Sequence, residues 1–179
     1  NLSEVTGAYM QVITNIRIFD GLTDQLTDDK VVLIDGDTIV DLMPVADPLP
    51  EGANVIDGQG GVLIPGLVDA HIHAYAGDIN IYKNDQVPKE LLSHVAARRL
   101  NDMLDRGFTT VRDCGGGDIG LAMALDSGTI RGPTMIYCGK LISQRGGHGD
   151  MRPPDLHEHG DECWTCGCAY AGHLSITAD

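Results

Sequence analysis

Between Leu67 and Gly139 the chain alternates strand-length apolar runs with helical patterns, and that order restricts its fold more than any other feature. Leu67 to His73 is apolar apart from Asp69 and two histidines. Pro88 suits the first position of a helix, where its missing N–H costs nothing. After it Leu92, Val95, Ala96, Leu100, Met103 and Leu104 fall on one face at i, i+3, i+4 spacing, and Gly107 supplies the stop. Phe108 to Asp113 is a second strand, Asp118 to Ser127 a short helical pattern ended by Gly128, and Pro133 to Gly139 a third strand. Strand, helix, strand, helix, strand is the order of a parallel sheet or barrel with helices laid over it.

The segment before Leu67 has another rhythm. Val12 to Phe19 is β-rich and stops at Asp20-Gly21. Lys30 to Ile34 and Thr38 to Leu42 flank Asp35-Gly36-Asp37, a strong hairpin signal, and Pro44, Pro48 and Pro50 then interrupt any regular element. Val55-Ile56 and Val62-Leu63-Ile64 read as two short strands around a Gly-rich turn, which predicts a small antiparallel β unit. After the third strand, residues 140–173 form a long polar loop, placed where a βα barrel carries its active-site loops. Ile176 to Asp179 reads as the start of a helix with Thr177 or Asp179 as its cap. Three βα units cannot close an eight-stranded barrel, which takes ~250 residues, so the chain is expected to be part of a longer one and unstable by itself.

Side chains at i and i+2 on a strand share a face, so His71 and His73 point the same way at the C-terminal end of the first strand of the series, with Asp69 below them. Barrel enzymes place their chemistry at that end, and two imidazoles so spaced can reach one cation. The bare His-x-His pattern is weak, because His157 and His159 repeat it in the polar loop without strand character. His148 stands between glycines on that loop, which favours contact with a substrate over an idle exposed histidine. Asp113, at the end of the second strand, is a candidate either to support the site or to pair with Arg112 or a nearby cap, and His94 falls on the polar face of its helix.

A net charge of −14 disfavours nucleic acid and anionic membrane surfaces as partners. No apolar run reaches the ~18–20 residues that span a bilayer. Five cysteines, an odd count, argue against a fully paired secreted framework and for a reducing, cytoplasmic setting. Cys114 and Cys138 read as buried thiols inside strands. Cys163, Cys166 and Cys168, with His157, His159 and His173 nearby, offer a competing structural zinc site, although three cysteines crowded into six positions lack the usual two separated ligand pairs.

Context separates the two histidine pairs. The run Gly61-Val62-Leu63-Ile64-Pro65-Gly66-Leu67-Val68-Asp69-Ala70 before His71 resembles the first barrel strand of the amidohydrolase superfamily. Ile34-Asp35-Gly36-Asp37-Thr38-Ile39 is similar to the hairpin of that family's N-terminal β-sandwich, and Arg106-Gly107-Phe108-Thr109-Thr110-Val111-Arg112-Asp113 to its second barrel strand. Gly146-Gly147-His148-Gly149-Asp150 resembles the loop after the third strand in the branch of imidazolonepropionase-like enzymes and metal-dependent prolidases. The resemblance implies an α/β fold: residues 1–64 as part of a β-sandwich, and residues 65–179 as the first three βα units of a (β/α)8 TIM barrel. It implies two divalent metal ions, expected to be zinc, with His71 and His73 as ligands of one. A bridging carboxylated Lys, further histidines and a general-base Asp are expected beyond Asp179. The implied reaction is hydrolysis of an amide, peptide or cyclic amide C–N bond by a metal-activated hydroxide, in a prolidase-like Xaa-Pro or related dipeptidase. The expected partners are a small-molecule or dipeptide substrate, the rest of the same chain and, as a homo-oligomer, further copies of it. The alternative is a non-catalytic zinc-binding or interaction module centred on the loop from Cys163 to Cys168.

Overall fold

The computed structural model describes residues 10–79, 83, 87–144 and 175–178. The chain divides into two compact units between Pro65 and Gly66.

The first unit is a four-stranded sheet in the order β3-β2-β1-β4, built from β1 (Met10–Ile18), β2 (Lys30–Asp35), β3 (Thr38–Pro44) and β4 (Asn54–Leu63). β2 and β3 form the hairpin predicted at Asp35-Gly36-Asp37, with Asp35 opposite Thr38 and Gly36 at φ +61°. The expectation of a purely antiparallel unit fails at β4. The two short strands predicted there are one strand, and it runs parallel to β1. The Gly-rich segment between them is a bulge: Thr14 pairs with Asp57 and Ile16 with Gly61, so four residues of β4 advance against two of β1. Asn15 and Gln59 both take positive φ there, and Asp57 holds the irregularity by accepting from the Asn15 side chain at 2.8 Å and from the Gln59 N–H at 2.8 Å. Gly58 is required by space, because a Cβ there would lie 2.1 Å from Ile16 Cγ2. These are tertiary contacts, which a local turn signal does not register.

The second unit carries the parallel sheet β5-β6-β7, from β5 (Leu67–Ile72), β6 (Phe108–Asp113) and β7 (Thr134–Tyr137). Helix α1 (Lys89–Asp105) joins the first two strands and α2 (Ile119–Asp126) the next two. Pro88 is the cap of α1 rather than its first residue, and its carbonyl accepts the Leu92 N–H at 3.1 Å. The face predicted for α1 is the one it buries: Leu92, Ala96 and Leu100 are closed off from solvent, Met103 packs beside them, and His94 is exposed as expected. Gly107 at φ +92° turns the chain into β6. Asp118 caps α2 by accepting the Leu121 N–H at 2.9 Å. Leu92, Ala96, Leu100, Val111, Leu121, Ala122 and Met135 form one core with Ala74 and Tyr75, the two residues that follow His73.

Two further strands replace sequence expectations. β8 (Leu141–Gln144) begins what was read as loop, and β9 (Ser175–Ala178), read as the start of a helix, pairs parallel to it. The β-branched pair Ile176-Thr177 favours the extended state once a partner strand is present. Cys114 and Cys138 stand just past the ends of β6 and β7 rather than inside them. Cys114 is half-buried and Cys138 exposed, so neither is the buried thiol expected. Among the described residues, no helix is long and apolar enough to cross a membrane, which leaves strand-built membrane barrels unaddressed.

Candidate metal centre at the strand ends

β5 ends at Ile72, with His71 in its last turn of pleat and His73 one residue beyond. The strand is irregular here: Asp69 pairs with Val111 and Ile72 with Asp113, three residues against two. Asp69 does not stand apart below the histidines. Its Oδ1 accepts the N–H of His71 at 3.1 Å and pins that backbone. The two imidazoles lie 5.3 Å apart between centroids, edge to face at 72°. His71 is exposed and His73 half-buried, so the pair opens to solvent on one side.

His73 is held from several directions. Its Nδ1 lies 3.1 Å from the carbonyl oxygen of Gly115, in the loop after β6. A carbonyl only accepts, so this bond requires a proton on Nδ1, and in the neutral ring the free lone pair is then on Nε2. Metal-binding histidines are commonly oriented in this way, the second ring nitrogen donating to a carbonyl or carboxylate. The His73 carbonyl accepts the Ala76 N–H at 3.1 Å, closing a turn whose Ala74 and Tyr75 are buried in the core.

Asp113 sits behind this arrangement with 0% of its surface exposed. It makes no pair with Arg112, whose Nε donates instead to the Ala70 carbonyl at 2.9 Å. The Asp113 carboxylate accepts three backbone N–H groups: Ala74 on Oδ2 at 2.7 Å, and Gly115 and Gly117 on Oδ1, both at 2.9 Å. Sequence reasoning left the role of Asp113 open and passed over Gly115 altogether. The signal present was Gly115-Gly116-Gly117, beginning two residues after a strand-end carboxylate, a run that lets backbone approach a polar group closely.

The structure therefore brings His71 and His73 together as a candidate pair of ligands for one cation. Among the described residues, no group of three or more His, Cys, Asp or Glu side chains is placed to hold a metal ion. His148, predicted to contact substrate, and the cluster of Cys163, Cys166 and Cys168 lie outside the described residues.

The histidine pair lies at the C-terminal end of a parallel strand, the end where α/β proteins as a class place their ligand sites. The chain belongs to the amidohydrolase family, whose sequence profile matches residues 62–166 and so includes both histidines. It is similar to ochratoxinase from Aspergillus niger, 40% identical over 96 residues that make up 50% of this chain and 19% of that protein. Imidazolonepropionase from Ectopseudomonas mendocina is 41% identical over 68 residues, 36% of this chain and 16% of that one. Among solved structures, a prolidase in complex with N-methylphosphonate-L-proline superposes with a TM-score of 0.80 at 35% identity, over 95% of this chain and 40% of the prolidase. The chain thus spans less than half the length of the relatives it matches.

Proposed function

We propose that the chain supplies the first two ligands of a divalent-metal centre in a hydrolase that cleaves C–N bonds, acting on an Xaa-Pro dipeptide or a related amide. The observation that carries this reading is the His71–His73 pair with its Nδ1–Gly115 bond, at the strand end where a barrel enzyme works. The β5-β6-β7 sheet with α1 and α2 is read as the opening of a (β/α)8 barrel, and residues 1–64 as part of an accompanying β-sandwich. The similarity to a prolidase at 35% identity supports the substrate class. Kinship to ochratoxinase and imidazolonepropionase supports hydrolysis of a C–N bond.

In this reading His71 and His73 would hold one of two divalent cations, taken to be zinc, with His73 binding through Nε2. The metals, when bound, supply an activated water and polarise the scissile carbonyl. The chain's own part is to hold the backbone of one histidine and the ring of the other. The Asp69 contact fixes the backbone of His71, and Gly115 fixes the ring and tautomer of His73. His148, flanked by Gly147 and Gly149 in the sequence, is proposed to contact the substrate.

The test is metal analysis and turnover of the metal-loaded protein with His71→Ala and His73→Ala. Each variant is expected to lose a metal equivalent and to lower kcat/KM by more than the ~100-fold that removal of a merely orienting partner costs. Its circular dichroism should stay unchanged, since His71 is exposed and His73 half-buried. A parent protein without bound divalent cation, or full turnover in both variants, overturns the reading.

A further inference from the structure

Asp113 is completely buried yet touches neither a cation nor a cationic side chain among the hydrogen bonds it makes; all three are to backbone N–H groups. Burying a carboxylate is costly unless its lone pairs are satisfied, and here charge-assisted bonds of 2.7 to 2.9 Å satisfy both oxygens. What those bonds connect is the informative part. Oδ2 holds the N–H of Ala74, the residue next to His73 in the loop after β5. Oδ1 holds the N–H groups of Gly115 and Gly117, in the loop after β6.

One carboxylate therefore clamps the backbone that carries His73 to the backbone that carries its orienting carbonyl. The peptide between Gly115 and Gly116 is also fixed from its far side, since the Gly116 N–H donates to the Gly139 carbonyl at 2.9 Å while the Gly115 carbonyl faces His73. Gly117 completes the clamp by having no side chain. A Cβ there would lie 2.6 Å from Asp113 Cγ and 2.9 Å from Oδ2.

We propose that Asp113 is a positioning residue for the metal centre: by fixing the Ala74 and Gly115 backbones together it sets the ring orientation and tautomer of His73. It acts through the Gly115 carbonyl and not on metal or substrate. The proposal rests on the reading of His71 and His73 as metal ligands.

The experiment uses the metal-loaded protein and its cobalt-substituted form. Asp113→Asn keeps one oxygen but turns an NH2 group toward N–H donors, so one side of the clamp must open. The expected result is about a 10- to 100-fold loss of metal affinity in chelator competition, together with a changed cobalt visible spectrum. Gly117→Ala is the second arm: it keeps the carboxylate but pushes it off its place, and should give the same spectral change with a smaller loss of affinity. If Asp113→Asn does not fold, the Gly117→Ala spectrum decides. Parental affinity and an unchanged cobalt spectrum in the folded variants overturn the proposal. Should His71→Ala and His73→Ala retain full metal, the metal-centre reading itself fails; should they lose it while Asp113→Asn keeps it, only the positioning role falls.

Discussion

In the unit of β5–β7 the buried apolar residues described, Pro133 apart, join one cluster, closed over by α1 and α2. The sheet of β1–β4 has no helix among the described residues of its unit and divides its buried residues between two faces. Met10, Val12, Val31 and Leu33 gather in one cluster, and Ile16, Ile18 and Val32 in another. The switch happens inside β1. Val12 stands opposite Leu33 and Ile13 opposite Val32, so Ile13 belongs to the second face, and Ile16, three residues on, joins it. Strict alternation would put Ile16 with Val12. The bulge at Asn15 inserts the extra residue that moves it across. A crossover helix gives a parallel sheet one thick core beside its strand ends. The bulged sheet has a thin apolar layer on each side, with Ile39 and Val55 of its outer strands 64% and 51% exposed. The rigid strand ends are where the histidine pair sits, and the reason is mechanical: His73 is followed directly by two residues of the thick core.

Truncating matched aliphatics would break or confirm this contrast. Leu100 is fully buried at the centre of the helix-covered core, and Leu100→Ala is expected to cost roughly 2–5 kcal/mol of stability. Ile39→Ala on β3 should stay within about 0.5 kcal/mol, as surface changes usually do. Denaturant unfolding followed by circular dichroism measures both. Equal losses would mean that another part of the protein covers β3 and that the thin-layer description is wrong.

A smaller effect is expected at the bulge. Gly58→Ala places a methyl group against Ile16 Cγ2, with backbone oxygens of Thr14 and Asn15 at 3.1 and 3.3 Å, so Ile16 must shift within its cluster. Overpacking of this kind costs about 1–3 kcal/mol. Amide exchange should show faster opening in β1 and β4 while the β5–β6 pairing keeps its protection. An unchanged melting profile would show that Ile16 is not confined by the bulge.

What the sequence made legible follows the same division. The amphipathic face of α1, the short helix that follows Asp118 and the Asp35-Gly36-Asp37 hairpin are local patterns, and each formed where the residues indicated. The histidine pair was legible because i, i+2 spacing on a strand is local as well. The parallel pairing of β4, the face switch at Asn15 and the clamp at Asp113 rest on contacts between residues 39 to 45 positions apart in the chain, as in Ala74 to Asp113, His73 to Gly115 and Ile18 to Leu63. A glycine between two β-rich runs reads equally as a turn or a bulge until the partner strand is known, and the Gly-rich stretch between Ile56 and Val62 reads as a turn from sequence alone. β9 was misread for a related reason. Four residues carry too little periodicity to separate a strand from a helix start without its partner β8.

The smallest expected effect separates the two units by their electrostatics. In the first, Asp20 and Asp57 are fully exposed, and backbone N–H groups hold their carboxyls below the usual range: those of Leu22 and Thr23 for Asp20, and that of Gln59, with the Asn15 amide, for Asp57. In the second, the shift comes from desolvation. Burial in the helix-covered core, with the negative charge of Asp118 next in weight, pushes the Tyr75 phenol up to about 12. Its hydroxyl donates to Asp118 Oδ1 at 3.4 Å, a bond the ionised form cannot make. The sign follows from proton binding: between its ordinary value of 10 and about 12 the folded protein keeps a proton that the unfolded chain has released. This contribution to stability is complete below pH 10 and is lost as the pH rises toward 12. Tyr75→Phe should therefore flatten the fall in stability over that window while leaving neutral-pH turnover nearly unchanged. Spectrophotometric titration of tyrosinate should find one of the five tyrosines ionising last, and that step should vanish in Tyr75→Phe. If all five ionise together near pH 10, the Tyr75 ring is solvated, and the core beside His73 is looser than the packing of Ala74 and Tyr75 describes.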